Sequence, residues 1–350
     1  MRKFFKKLLF AVQSNTRAAG VVFLFIFSFG LLIGFSIEWY MTTTREADAV
    51  FGFRKIHPIN NRFQFINPLI GFDISEKRYS EYTGLKNQIE NYINSPEVSG
   101  KINSISVYFR NLETGDWVGI NQNEDYDPAS LLKVPIMMFY LKLAESDEYI
   151  LSRTYAYTKS DINLLKSVQG GDLSTRLIEG KQYTVEELIY EMIVRSDNIA
   201  KYLLILNSSQ GNFNEIYGDL GIQIHKEGNV YTISSKIYSL FFRTLYNATF
   251  LNQEMSEKAL KILSEAEFKN GLVAGVAPDI RVAHKFGQYA SITNGKVTSV
   301  EAHDCGIIYY PDSPYALCVM TRGHNTGQLE GIIQQISQVT YHFIQEQKTK

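Results

Sequence analysis

The chain has 350 residues, enough for one large domain with a sizeable core plus an N-terminal addition. Its 35 basic and 36 acidic side chains leave a formal charge of −1, which gives no electrostatic footprint for nucleic acid or another polyanion. Apolar residues make up 45% and charged residues 20%, the balance of a folded chain and not of a disordered one.

Residues 1–17 are a short basic tail, with Arg2, Lys3, Lys6, Lys7 and Arg17 and no acid. The run "AAGVVFLFIFSFGLLIGFSI" at 18–37 carries no charge and is long enough to span the hydrocarbon core of a bilayer as a helix. Glu38, Trp39 and Tyr40 follow, and the two aromatics suit the headgroup region. The basic flank keeps the N-terminus in the cytoplasm and puts everything after Tyr40 outside, in the periplasm or at the cell surface. We read 18–40 as an uncleaved single-pass membrane anchor. The rival reading is a signal peptide cleaved near "ADA" at 47–49, and in either case the bulk of the protein is exported. Residues 41–76 show no clear period and read as a spacer, and 77–350 as the folded domain.

Within that domain, "SEYTGLKNQIENYINS" is expected to be a helix with Leu85, Ile89, Tyr92 and Ile93 on one side. "INSISVYFRNLETGDWVGINQ" reads as two strands joined by a turn at "NLETGD". From Ser130 to about Asn270 the signals are mostly helical. Strands return with "IRVAHKFGQYA", "SVEAHDCGIIYY" and "YALCVMTR", and the chain closes on a helix striped by Leu329, Ile332, Ile333, Ile336, Val339 and Phe343. The expected architecture is α+β: one antiparallel sheet built from both chain ends, with flanking helices and an all-helical lobe inserted between them. Cys305 and Cys318 flank a turn and could approach each other, but buried free thiols on strands are the preferred reading. No Cys/His spacing suggests a metal, and no cofactor is expected.

"DPASLLKVPIMMFYLKLAE", at 127–145, places an ammonium in an otherwise apolar helix. If the helix begins near Ser130, then Ser130 and Lys133 lie one turn apart on one face. Burial disfavours the charged form of Lys133, leaving a lone pair that can take the serine's proton as its oxygen attacks. Pro135, which lacks an N–H, fits a position near the helix start. The alternative is a capping serine followed by a snorkelling lysine.

Two further stretches decide between these readings. "VRSDNIAKYLL" places Ser196, Asp197 and Asn198 at a junction of helical segments, and "VAHKFGQYA" places Lys285 and Gly287 on a strand. S-x-x-K, S-D-N and K-[ST]-G in that order resemble the signature of class A β-lactamases and penicillin-binding proteins, and the resemblance covers roughly residues 80–344. It implies a β-lactamase/transpeptidase-like fold and an acyl-enzyme at Ser130, with Lys133 as base and Ser196 relaying a proton to the leaving nitrogen. It also implies that Asn198 bonds the substrate amide and Lys133, that Lys285 lies near the substrate carboxylate, and that Gly287 lets substrate lie along the strand. The backbone N–H groups of Ser130 and Gln288 would form the oxyanion hole. Asp197 is expected to brace its turn. The implied ligand is a β-lactam or a peptidoglycan stem peptide.

Two departures from that family pattern stand out. Phe286 replaces the Thr or Ser of the third motif, which weakens or alters carboxylate recognition. The family's E-x-x-L-N loop, whose glutamate activates the deacylating water, is missing from "IYGDLGIQIHKEGNVYTISSK", where Glu227 is the one substitute and more simply a solvated turn residue. The expectation is an extracytoplasmic serine hydrolase of the β-lactamase/D,D-peptidase type that acylates and then deacylates slowly. A catalytically retired binding module is the alternative.

Overall fold

β1 (Ile102–Asn111) and β2 (Trp117–Ile120) form the first hairpin, and its turn shows why the chain reverses there. Asn111 Oδ1 accepts from the N–H groups of Glu113 (2.8 Å) and Thr114 (2.9 Å), and Gly115 supplies a φ of 81° that a larger residue resists. β3 (Asp125–Tyr126) then leads into the helical lobe. There β4 (Thr154–Ala156) pairs with β5 (Gln182–Thr184), and β6 (His225–Glu227) pairs with β7 (Val230–Ser234), whose other edge takes β3. β8 (Val282–Thr293), β9 (Lys296–Ile308) and β10 (Tyr315–Gly323) complete an antiparallel five-stranded sheet in the order β2-β1-β10-β9-β8. The first and last strands of the domain are thus neighbours, as the sequence pattern implies.

This is a computed structural model, and it describes residues 63–67, 82–161, 174–208, 214–220, 222, 225–227 and 230–348, all within the compact unit Phe53–Lys350. The apolar run at 18–37 lies outside the described residues. Among those described, no helix is long and apolar enough to cross a membrane. Residues 63–67, within the stretch read as spacer, are docked on the domain. The N–H groups of Gln64, Phe65 and Ile66 all donate to the Glu257 carboxylate, at 2.7, 2.8 and 3.2 Å.

The sheet separates two cores. On one face the terminal helices Thr83–Ile93 and Thr326–Lys348 bury Leu85, Ile89, Leu329, Ile332, Ile333 and Ile336 against Val107, Phe109 and Val319. On the other face, Ala283, Cys305 and Ile307 meet the lobe, whose central helix Lys133–Ala144 is buried on nearly every side. Around it the helix Val185–Val194 starts at a capping box, Thr184 with Glu187, and Ser235–Tyr246 starts at an Ser234 cap. Within the stretch read as mostly helical, the segment before Ser235 is a strand hairpin, and β7 also pairs with β3.

One expectation is corrected outright. Cys305 and Cys318 are direct partners across β9 and β10, and they form a disulfide instead of lying as free thiols. The hairpin register puts both side chains on one face with Cα atoms 3.9 Å apart.

Candidate active site

The helix carrying Lys133 begins at that residue, not at Ser130. Ser130 sits just before it in a 3₁₀ turn, Ala129–Leu132. Ala129, its predecessor, has a φ of 48°, a left-handed conformation that costs a non-glycine residue on the order of 1–3 kcal/mol. Neighbouring groups hold this turn in place. Asp127 Oδ1 accepts from Ala129 N–H at 2.8 Å, and Tyr238 donates its hydroxyl to the Leu131 carbonyl at 2.9 Å. Asp127 is itself fastened by β9: its N–H donates to Glu301 Oε2 at 3.0 Å, and its carbonyl accepts from His303 Nε2 at 3.0 Å.

The tautomer of His303 follows from its partners. Nδ1 accepts from Thr321 N–H at 3.3 Å, so Nε2 carries the proton that Asp127 needs. Burial by itself would raise the Glu301 carboxyl, but hydrogen bonds from His303 and Arg322 outweigh it and hold it below the usual range. Burial pushes the half-buried Asp127 carboxyl up, against the hydrogen bond from Ala129.

Lys133 is fully buried, and its Nζ lies 3.0 Å from Ser130 Oγ and 3.0 Å from Ser196 Oγ, with the Ser196 carbonyl also accepting from it. Lys285, also fully buried, reaches Ser196 Oγ from the other side at 3.0 Å. Ser130, Lys133, Ser196 and Lys285 therefore form a chain of three 3.0 Å steps, each within proton-transfer reach. Burial pulls the Lys285 ammonium from 10.5 down to about 7, with the Asp304 carboxylate acting in the opposite sense. Ser196 has a φ of 57°, so both serines lie at left-handed turns. Asp197 caps the helix Asn198–Leu206, accepting from Ala200 N–H at 2.8 Å.

The remaining predicted residues divide. Asn198 is half-buried in the first turn of that helix. Gly287 is needed for a close approach, but by the Ser130 turn: a Cβ there would stand 3.1 Å from the Pro128 carbonyl and 3.1 Å from Leu131 Cγ. The Gln288 side chain points away onto Glu330, at 2.5 Å. The Phe286 ring stacks on Phe268, with centroids 4.0 Å apart and planes at 16°, and Lys285 Nζ lies 4.0 Å from its centre. Glu227 ends β6, and its side chain lies outside the described residues. Sequence reasoning missed Asp127, Glu301, His303 and Phe268. The signal for the middle pair was Glu-Ala-His in a core strand, two polar residues at period two where only apolar ones are expected.

Residues 84–344 match the sequence model described as the Beta-lactamase enzyme family, and the chain belongs to that family. It carries the β-lactamase/transpeptidase-like fold of a serine hydrolase. Among solved structures, PBP-A is similar at a TM-score of 0.63 and 19% identity, covering 81% of this chain and 99% of that one. A PBP-A variant solved as an acyl-enzyme with penicillin G gives 0.62 and 20%, over 75% and 97% of the two chains. The class A β-lactamase from Mycobacterium abscessus gives 0.62 and 19%, over 75% and 99%. No curated protein matches in sequence.

Proposed function

We propose that this is a membrane-anchored, extracytoplasmic serine hydrolase, acylated at Ser130 by β-lactams or D-Ala-D-Ala-type peptides and slow to deacylate. The observation that carries the reading is the position of Lys133 Nζ, 3.0 Å from both Ser130 Oγ and Ser196 Oγ. As Ser130 Oγ attacks the carbonyl carbon, its proton passes to Lys133 Nζ, and the carbonyl electrons move onto the oxygen. The N–H groups of Ser130 and Gln288 receive that oxyanion. Collapse breaks the C–N bond, and the leaving nitrogen takes the Ser196 proton, which Lys133 replaces. The Lys285 ammonium stabilises Ser196 Oγ while it is short of that proton.

The product is an ester on Ser130, and its hydrolysis needs an activated water. The sequence from Ile216 to Lys236 carries no E-x-x-L-N loop whose glutamate would activate one. This favours a long-lived acyl-enzyme, as in a penicillin-binding protein of cell-wall metabolism, over a fast β-lactamase. The run at 18–37 with its basic flank supports the anchor, and the disulfide suits an oxidising compartment outside the cytoplasm.

The test is incubation with a fluorescent penicillin followed by intact mass over time. A persistent adduct that Ser130→Ala removes supports the reading. An adduct that survives Ser130→Ala, or rapid turnover without a burst, overturns it. Protease treatment of spheroplasts tests location: the chain after Tyr40 should be digested and the anchor spared, whereas soluble protein in the medium would favour a cleaved leader.

A further inference from the structure

The third motif holds an arrangement that the acylation chemistry leaves unused. An ammonium has three N–H groups, and those of the buried Lys285 are engaged by the protein itself. Ser196 Oγ and the Phe286 carbonyl each accept at 3.0 Å, and the Phe286 ring centre lies 4.0 Å from Nζ, within cation–π range. Phe286 is fixed in turn by its stack on Phe268.

Besides the Lys285 ammonium, two carboxylates border this part of β8. Across the strand pair Phe286 faces Asp304, a fully buried carboxylate bonded to His284 Nδ1 at 2.8 Å and Leu272 N–H at 2.9 Å. Two residues beyond Phe286, the Glu330 carboxylate accepts from Gln288 and also from Asn270 at 2.8 Å. A carboxylate brought to this stretch would meet a ring where a hydroxyl donor is absent, and two fixed anions. To bond it, Lys285 would have to release Ser196 or the Phe286 carbonyl. A neutral carbonyl or alkyl group meets neither penalty.

We propose that Phe286, backed by Phe268, forms the subsite for the leaving side of the acyl donor. It selects donors with an uncharged group there, a neutral amide or ester, over donors with a free carboxylate. The assignment rests on the reading of Ser130 as the acylated residue and narrows its substrate class.

Benzylpenicillin and its carboxamide provide the test, since they share one reactive ring and differ in that charge. The readout is the second-order rate of Ser130 modification by intact mass, each rate divided by the donor's rate of alkaline hydrolysis. In the wild type the carboxamide is expected to react at least about 5-fold faster, and Phe286→Thr to reverse the order, because it restores a donor and removes the π face. Phe268→Leu, which loosens the stack and keeps Phe286, narrows the preference. Faster modification of Ser130 by the carboxylate form in the wild type overturns the subsite and leaves the acyl-enzyme reading standing. Modification by neither form overturns that reading, and the subsite with it.

Discussion

Ser130 and Ser196 approach Lys133 from two sides, on backbone turns of the same left-handed kind, but the restraints on those turns differ. At Ser196 the restraint is local. Asp197 donates its N–H to the Glu191 carbonyl at 3.1 Å and caps the next helix through Ala200, all within a few residues of chain. At Ser130 it is remote, since Asp127 depends on Glu301 and His303, 174 and 176 residues away. The Ser196 turn takes its brace from the helices beside it, whereas the Ser130 turn takes part of its brace from the sheet. Damage to the sheet should therefore be felt at Ser130 first.

The largest expected effect breaks the chemical comparison. Ser130→Ala should abolish covalent labelling by penicillin, while Ser196→Ala should leave labelling possible but about 10²–10³-fold slower, read by intact mass over time. Next comes the remote clamp. Glu301→Ala takes a shared acceptor from the Asp127 N–H, Arg322 and His303 and should cost about 1–3 kcal/mol in denaturant unfolding, with slower acylation of Ser130. Unchanged stability would mean that the clamp is dispensable.

The pH dependence sharpens the comparison from the side of Ser196. As pH rises through about 7, Lys285 loses the proton it gives to Ser196 Oγ, so acylation should fall on an alkaline limb near that value. Stability should move the other way. The folded chain releases this proton at lower pH than the unfolded one, so stability rises between about 7 and about 10.4, the ordinary lysine value, and below 7 the full cost of the buried ammonium remains. Lys285→Arg should remove both trends. The smallest effect is local: Asp197→Ala should cost about 1 kcal/mol, as loss of a helix cap does, and leave the Ser130 turn intact.

The same division governs what could be read from the sequence. The period-two strands, the helical stripe of the last helix and the three short motifs depend on near neighbours, and the fold follows them. The Asp197 cap is local in the same way. Glu301 and His303 were not legible, because their partner Asp127 is brought to them only by strand order. Phe286 was visible as a departure, but Phe268, which fixes it, comes from another part of the chain. The helix start was placed early because Ser130–Leu132 continue the apolar pattern, while the left-handed Ala129 forces a tighter 3₁₀ turn before it. The cysteines were misread because pairing depends on hairpin register, which "YPDSPY" does not dictate.

That register has a further consequence. Side chains alternate across a strand, so a slip of one residue between β9 and β10 would carry every side chain of β9 to the opposite face. His303 and Glu301 lie two and four positions before Cys305 and share its face, and Lys285 stands directly opposite Cys305 on β8. The bond from Cys305 to Cys318 permits only the pairing that keeps them there. It acts as a parity constraint written into the covalent chain, so substitutions that remodel the charged clamp are confined to the face that meets the Ser130 turn.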